Sequence, residues 1–503
     1  VPSKNRATGA AALAAFAYAA FTMLLLPGHM ASGDSLYHFG VSREIAAGTL
    51  APSPAKLLPW TVFSALPVDH YWGFHLLLAP FALIPDPELG MKLGAATLFA
   101  ALIGAMTWVL SRHRVPLPWA WACASVLFSS QDWRFLQLRG GVTLATALLV
   151  FVEAAAFLEA PRPRRALILL LAYAGMLSYN GAILLLPFHG AVLLGLAIHG
   201  GWSALRGRLG EPLLTAGGLL LGLGLNPYMT RDFAPLRFAA FHTWHMTTDS
   251  AKLFVGREHV EFNPFPLHQL PRQWEWLVLV ALLLAALVHA LRRREEHPGE
   301  GLEALVYGAC TLLGLALTLR AVRMREYAVP LAFLFLGVAT RDLAERWLTS
   351  RAAHLLAALL LLLRAGPQIK QTHLLTEITS QPIGLFAGAR PLLEQERTVV
   401  ANLVQGDSTF LYWEWLDVQV ASGLSHYFLY LHDRALYEHL KELREARDDA
   451  KAAAAVQALA ARGVTLLSAR PGIGFHRFAE RHPERFEVAY LNRDLGSALY
   501  RIR

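Results

Sequence analysis

Along most of this chain apolar residues come in long runs, not in the alternation of a half-buried strand or the narrow stripe of a surface helix. The first run lies at about 8–27. Others follow near 73–84, 90–110, 115–130, 138–159, 165–187, 188–199, 211–228, 274–291, 302–319, 327–342 and 352–364. A helix needs about 20 residues to cross the hydrocarbon of a bilayer, and several runs reach that length. The pattern predicts an α-helical polytopic membrane protein with about eleven transmembrane helices, within a range of 10–13. The piece at 73–84 is short for a crossing. It reads either as a half-helix or as the end of an element that begins in the loop before it.

Arginines punctuate the runs in a regular way. Lys4 and Arg6 precede the first run, which places the N-terminus in the cytoplasm by the excess of basic residues on cytoplasmic loops. Arg112/Arg114, Arg162/Arg164/Arg165, Arg206/Arg208, Arg292/Arg293/Arg294 and Arg341/Arg346 mark five further cytoplasmic loops. The connections between them then face the other side: 28–72, 131–137, 229–273 and 320–326. A full crossing by 73–84 would break this parity.

Beyond about 365 the pattern changes. Residues 366–397 read as a linker containing a short amphipathic piece, and 398–503 as a small extracytoplasmic α/β domain. Strands are expected at 398–403, 408–413, 464–468, 486–491 and 497–502, and helices at 434–446 and 449–462. Gly472-Ile473-Gly474 is too weak a pattern for a phosphate-binding loop.

Composition sharpens the picture. The 503 residues are 55% hydrophobic and only 16% charged, with mean hydropathy +0.38, against roughly 25% charged for a soluble protein. The net charge of +8 sits in short loops between apolar runs. It therefore points to topology and lipid headgroups and not to nucleic acid. Cys123 and Cys310 both lie in apolar runs, which argues against a disulfide scaffold. The first run has no clear cleavage site and reads as a retained helix.

The connections assigned to the outside are unusually polar. The first holds Asp34, Tyr37, His38, Asp69 and His70; the second Gln131, Asp132 and Arg134. The third opens on Asn226-Pro227-Tyr228 and contains His242, His245 and His259. The fourth contains Arg320, Arg323, Glu326 and Tyr327. Asp34 can serve as a general base for an incoming hydroxyl or amine, hold a divalent cation, or cap the short helix expected at 35–47. Asp69-His70, with His75 one turn later, could ligate Mn or Zn, or could be ordinary interfacial histidines. Arg320 and Arg323 could grip a phosphate, or Arg323 could pair with Glu326 one turn away. Arg139, at a helix mouth, could meet a phosphate or snorkel to headgroups. Tyr179-Asn180 reads as an interhelix hydrogen bond or as the wall of a cavity.

Gly33-Asp34-Ser35-Leu36-Tyr37-His38, followed by Arg43-Glu44-Ile45-Ala46-Ala47-Gly48, resembles the acidic first-loop motif of the GT-C superfamily of integral-membrane glycosyltransferases. That group includes oligosaccharyltransferases, protein O-mannosyltransferases and lipid A aminoarabinose transferases. Leu58-Pro59-Trp60-Thr61, Asp69-His70 before Phe74-His75, Asn226-Pro227-Tyr228, Arg323-Met324-Arg325-Glu326-Tyr327 and Gly423-Leu424-Ser425 resemble a poorly characterised bacterial subgroup of it. The resemblance implies a multi-pass protein of the bacterial inner membrane that transfers a sugar from a polyprenyl-phosphate-linked donor to an extracytoplasmic acceptor. The C-terminal domain would be periplasmic and could engage protein partners. Asp34 would be catalytic. Tyr37, His38, Asp69, His70 and Asp132 would attend the acceptor or a metal (Mg, Mn or Zn, the cofactor being left open). Arg323, Arg320 and Arg139 would meet the donor phosphate, supported by Asn226, Tyr228, Glu326 and Tyr327.

After Arg139 the chain has Gly140-Gly141, where the family pattern has proline and a polar residue, and Asp132 has no second acid beside it. These departures keep open a second reading, a catalytically inactive GT-C-fold subunit or scaffold of a cell-envelope complex. A lipid-sugar flippase would show inverted repeats, and the sequence contains none.

Overall fold

A computed structural model of the chain describes residues 2–24, 33–53, 68–129, 138–238, 240, 274–296, 301–321, 324–348, 388–396, 399–403, 412–413, 418–422, 434–494 and 496–503. The run expected at 352–364 lies outside them. Each remaining run carries a helix. In order these are α1 (Pro2–Leu24), α2 (Gly33–Ala46), α3 (Trp72–Ala82), α4 (Pro87–Arg112), α5 (Leu117–Ser125), α6 (Gly140–Phe157), α7 (Pro161–Ser178), α8 (Leu185–Arg206), α9 (Glu211–Gly224), α10 (Trp274–Glu296), α11 (Leu302–Arg320), α12 (Arg325–Ala339) and α13 (Arg341–Trp347).

Six of these helices are long and apolar enough to cross a membrane, or seven if α12 and α13, bent by 60°, count as one span. Among the described residues the expected eleven are therefore not reached, and the reasons are local. The run at 115–130 is split into a nine-residue helix and a 3₁₀ turn, Val126–Ser129. Helix α3 has 11 residues, or about 16 Å of length, half a bilayer core. It is the half-helix that the arginine parity required. The break expected near Pro187 falls instead at Tyr179, which is extended (φ −167°, ψ 129°). Pro187 sits in the first turn of α8, where a missing N–H costs no helical hydrogen bond.

Helix α9 lies close on α7 because of two glycines one turn apart. A Cβ at Gly218 would stand 2.5 Å from the Leu169 carbonyl oxygen, and one at Gly222 would stand 2.6 Å from that of Tyr173. Small residues at this spacing let helix backbones touch where lipid gives no hydrophobic drive.

The five basic loops gather at one end of the bundle, as a chain of contacts shows. Arg112 pairs with Glu153 (3.3 Å), and Arg208 donates to the carbonyls of Ala155 and Ala156 at the end of α6. Arg164 is buried against Glu211 (2.7 Å). Arg294 donates to the Ile198 carbonyl, and Arg293 pairs with Asp342. Arg341 donates to the His113 carbonyl (3.3 Å). The centre is Glu153, an acid inside an apolar run, which accepts from His113 Nε2 (2.6 Å) and from the Tyr307 hydroxyl. A charge at that depth persists only when the protein itself satisfies it.

The C-terminal part is a six-stranded mixed sheet with helices. Its elements are α14 (Arg390–Glu396), β1 (Val399–Asn402), β2 (Tyr412–Trp413), β3 (Val418–Ser422), α15 (Arg434–Glu445), α16 (Asp449–Ala460), β4 (Val464–Ala469), α17 (Gly474–Arg481), β5 (Phe486–Asn492) and β6 (Ser497–Ile502), with strand order β2-β3-β1-β4-β6-β5. Strand β1 runs parallel to both β3 and β4, and the other pairs are antiparallel. Strand β3 and helix α17 were not expected from the sequence. Gly474 opens α17 hard against the Glu445 backbone and serves packing, while Gly472 supplies the positive φ (93°) of the turn before it.

His113, in the turn beyond α4, gives a pH test of the basic end. Burial alone would lower its pKa, but hydrogen bonds to Glu153 and then Glu303 outweigh this and raise it from 6.5 to about 8. A raised value means that the charged imidazole stabilises the fold fully below pH 6.5, and that this stabilisation is lost as pH rises through about 8. The unfolding free energy of the purified protein should fall between pH 6 and pH 9 by about 1–2 kcal/mol, and its thermal unfolding midpoint should fall with it. In His113→Gln the midpoint should be lower throughout and flat over this range.

Candidate active site

Helix α6 finishes at the basic end and starts at the opposite end, about 27 Å away for its 18 residues. There three helices begin together. The Leu138 N–H, just before α6, donates to Ser35 Oγ in the first turn of α2 (3.1 Å). Arg139 Nη1 pairs with Glu326 Oε1 in the first turn of α12 (3.1 Å). The N-termini of α2, α6 and α12 thus converge. Each helix N-terminus carries roughly half a positive charge and unsatisfied N–H groups, so the place suits an anion. Asp34 lies in the first turn of α2 and not at its cap. Its side chain, and Asp132 and Arg323 altogether, lie outside the described residues. Arg320 is exposed at the last residue of α11, before the turn into α12.

Glu326 is 2% exposed and pairs with Arg139; the pairing with Arg323 that the sequence spacing offered lies outside the described residues. Gly141 makes the room. A Cβ there would collide with the Glu326 carboxylate and approach the Tyr327 hydroxyl to 3.6 Å. Gly140 does the same for a pair of stacked rings. Tyr71 and Tyr179 lie 5.4 Å apart at 17°, and a Cβ on Gly140 would stand 3.0 Å from Tyr71 and 3.3 Å from Tyr179. The Gly-Gly departure from the family pattern therefore has a packing cause.

Behind α2 is a buried polar chain. His75 Nδ1 lies 2.6 Å from Asp69 Oδ2, and His75 Nε2 lies 2.7 Å from His38 Nδ1. Asp69 and His75 are 0% exposed. With the Asp69 carboxylate accepting from His75 Nδ1–H, His75 Nε2 accepts in turn from His38 Nδ1–H. Asp69 Oδ1 accepts the Tyr71 N–H (2.9 Å). Tyr37 packs edge-on to His75 (ring centroids 5.7 Å apart). His75, noticed in the sequence only for its spacing from Asp69, is the link of the chain. His70 points elsewhere and stacks on Phe238.

Asp69 uses both oxygens, and His75 both nitrogens, on protein partners. Among the described residues no group of three or more His, Cys, Asp and Glu could hold a metal ion.

Asn226 and Tyr228 have structural work. Asn226 Oδ1 accepts the Tyr228 N–H (3.0 Å), and the Tyr228 hydroxyl donates to the Pro52 carbonyl (2.5 Å). Tyr228 is fully buried among Tyr37, Val41, Val68 and Phe238. Burial, with the Asp69 carboxylate adding, raises its pKa and keeps the phenol protonated. Arg231 reaches across to the Ala51 carbonyl (2.9 Å) and lies over the Tyr228 ring. These contacts pin the segment after α9 onto α2 and its following turn.

Among solved structures the chain is similar to the archaeal oligosaccharyltransferase AglB from Archaeoglobus fulgidus in complex with an inhibitory peptide and a dolichol-phosphate. The identity is 11% over 91% of this chain and 69% of that one, with TM-score 0.51. It is similar also to the Archaeoglobus fulgidus oligosaccharyltransferase tethered to an acceptor peptide containing the NVT sequon, at 10% identity over 98% and 74% of the chains and TM-score 0.53. ArnT from Cupriavidus metallidurans matches over 97% of this chain and 96% of its own, at 14% identity and a TM-score of only 0.43. No family model matches the chain, and no curated protein matches it in sequence. The chain has the fold of these oligosaccharyltransferases.

Gly141→Ala should push the Glu326 carboxylate off Arg139 and lower stability by about 1–3 kcal/mol, as overpacking does. In combination with Glu326→Gln the losses should be less than additive, because the two changes strike one interaction. Thermal unfolding of the two single variants and the double variant measures this. Additive losses would mean that Gly141 and the carboxylate do not share a space.

Proposed function

We propose that this chain is a membrane glycosyltransferase that moves a sugar from a polyprenyl-phosphate-linked donor to an extracytoplasmic acceptor. The observation that carries the proposal is the convergence of three helix N-termini on the first turn that holds Asp34, in a chain with the fold of a protein solved with a dolichol-phosphate and a peptide. A lipid-borne phosphate sits at headgroup depth with its tail in hydrocarbon. Helix termini and arginines can hold such a group by position and charge. Arg323 and Arg320 take the phosphate, and Arg139 contributes the edge of its guanidinium that Glu326 does not use. Asp34 accepts the proton of the acceptor nucleophile as that group attacks the anomeric carbon and the polyprenyl phosphate leaves. The chain Asp69–His75–His38 fixes the imidazole one helical turn after Asp34.

In this reading the end with the three N-termini faces away from the cytoplasm, in a bacterial inner membrane, and the five basic loops face the cytoplasm. Residues 1–365 form the catalytic membrane domain, and 398–503 a periplasmic domain placed to dock the acceptor or a protein partner. The inactive-scaffold alternative rested on Gly140-Gly141, whose packing role supports neither reading over the other, and on the isolated Asp132, which lies outside the described residues.

Purified protein given a panel of polyprenyl-phosphate hexoses with labelled sugar should release labelled product. Asp34→Asn should lower the rate at least 100-fold, the scale of a lost general base, with an unchanged unfolding midpoint. Transfer that persists in this variant would remove Asp34 from the chemistry. Arg323→Ala should weaken donor affinity roughly tenfold, as loss of a charged hydrogen bond does, and leave folding nearly intact. Donor affinity equal to that of the unmodified chain would refute the phosphate role.

A further inference from the structure

Tyr179 and Asn180 interrupt an apolar run and take no part in the chemistry proposed above. Helix α7 starts at the basic end and stops at Ser178. Tyr179 is then extended, and the chain resumes as a 3₁₀ turn, Asn180–Leu184. The interhelix hydrogen bond open to an asparagine in such a run is not made. Among the described residues the Asn180 amide makes no hydrogen bond, and the residue is half-buried. The break therefore sets an aromatic ring and a carboxamide side by side, at the end where α2, α6 and α12 begin.

The ring is held firmly. A Cβ on Gly181 would collide with it, and one on Gly140 would stand 3.3 Å away. Gly73 lets the start of α3 close on the residue before it, since a Cβ there would stand 2.8 Å from Ser178 Oγ. Tyr71, stacked on Tyr179, is fixed from the other side. Its N–H is taken by Asp69, and His38 meets its ring edge-on, with centroids 4.9 Å apart at 82°. Neither tyrosine is fully buried. The pair is thus ordered before any ligand arrives and still open to one, which keeps the entropic cost of binding low.

Position and chemistry together indicate the ligand. Gly140, against which both rings rest, is the residue after Arg139, whose spare guanidinium edge is offered to the donor phosphate. In a polyprenyl phosphate sugar a single oxygen joins phosphorus to the pyranose, so the sugar must lie beside whatever holds the phosphate. The face of a tyrosine ring is electron-rich and suits the axial C–H bonds of a pyranose. A carboxamide both donates and accepts, as neighbouring sugar hydroxyls do. A phosphate would be repelled by the aromatic face, and an isoprenoid chain would leave the amide unmet.

We infer that Tyr179, backed by Tyr71 and flanked by Asn180, is the subsite for the hexopyranose of the lipid-linked donor. The inference rests on the sugar-transfer reading for the phosphate beside it, and adds the residues that recognise the sugar ring.

Equilibrium binding to the detergent-purified full chain, without acceptor, tests it. The probes are decaprenyl phosphate alone and decaprenyl phosphate carrying glucose, galactose, mannose or N-acetylglucosamine. At least one sugar-bearing probe should bind about tenfold more tightly than decaprenyl phosphate, the scale of one aromatic contact and one hydrogen bond. Tyr179→Leu should erase that gain and leave the affinity for decaprenyl phosphate unchanged, whereas Tyr179→Phe should keep most of it. Equal binding of all the probes by the unmodified chain, or a gain that survives Tyr179→Leu, would overturn the inference and leave the phosphate role standing. A gain in binding with no transfer in the labelled-sugar assay would do the reverse, sustaining the subsite and overturning the transferase. Binding of no probe would overturn both. The comparison among probes needs no variant, and the affinity for decaprenyl phosphate reports whether Tyr179→Leu is folded.

Discussion

Glu326 is a carboxylate placed where water scarcely reaches, and Arg139 is what makes that tolerable. Removing one partner of a buried pair typically costs 3–5 kcal/mol, because the other charge is left uncompensated. The pair bridges the starts of α6 and α12, and the Leu138 N–H on Ser35 brings α2 to the same point. The first turn of each helix is set by these two contacts. Whatever chemistry occurs at this mouth therefore depends on a pair of which only the free edge of the Arg139 guanidinium meets a reactant in the proposed mechanism. Gly141 belongs to the same device, since only its lack of a side chain lets the acid come so near the α6 backbone.

The two ends of the bundle solve the same electrostatic problem with opposite results. At the basic end arginines are consumed: by Glu153, Glu211 and Asp342, and by the open carbonyls that finish α6. Cations near helix C-termini also answer the macrodipole. At the other end the helices present their N-termini, and Arg320 is exposed beside them. One end ties part of its arginines to buried acids and open carbonyls, and the other presents helix N-termini able to attract a negative group.

The helices and most of the sheet were legible in the sequence because long apolar runs and period-two strands report directly on burial. The short α3 was legible only through arginine parity, since its hydropathy is that of a full span cut in half. Strand β3 was missed because Val418–Ser422 is five residues, too brief for its alternation to stand out. In the site, the sequence named His38 and Asp69 but not the bond through His75 that joins them, because 37 residues separate the two histidines. For Glu326 helical spacing offered Arg323, which lies outside the described residues. The partner that the structure does show, Arg139, lies 187 residues earlier in the chain, and no local rule finds such a pair. Glu153 did carry a signal that went unread, a lone acid within an apolar run.

Helix α3 turns back after about 16 Å and leaves Leu76, Leu77 and Leu83 facing outward. A hydrophobic surface that shallow cannot match a bilayer of full thickness, and lipid beside a short element thins to meet it. Headgroups along that flank would dip toward the mouth where α2, α6 and α12 begin. A reactant carried on a lipid would then approach from the side along a depression in the membrane, without first having to rise out of it.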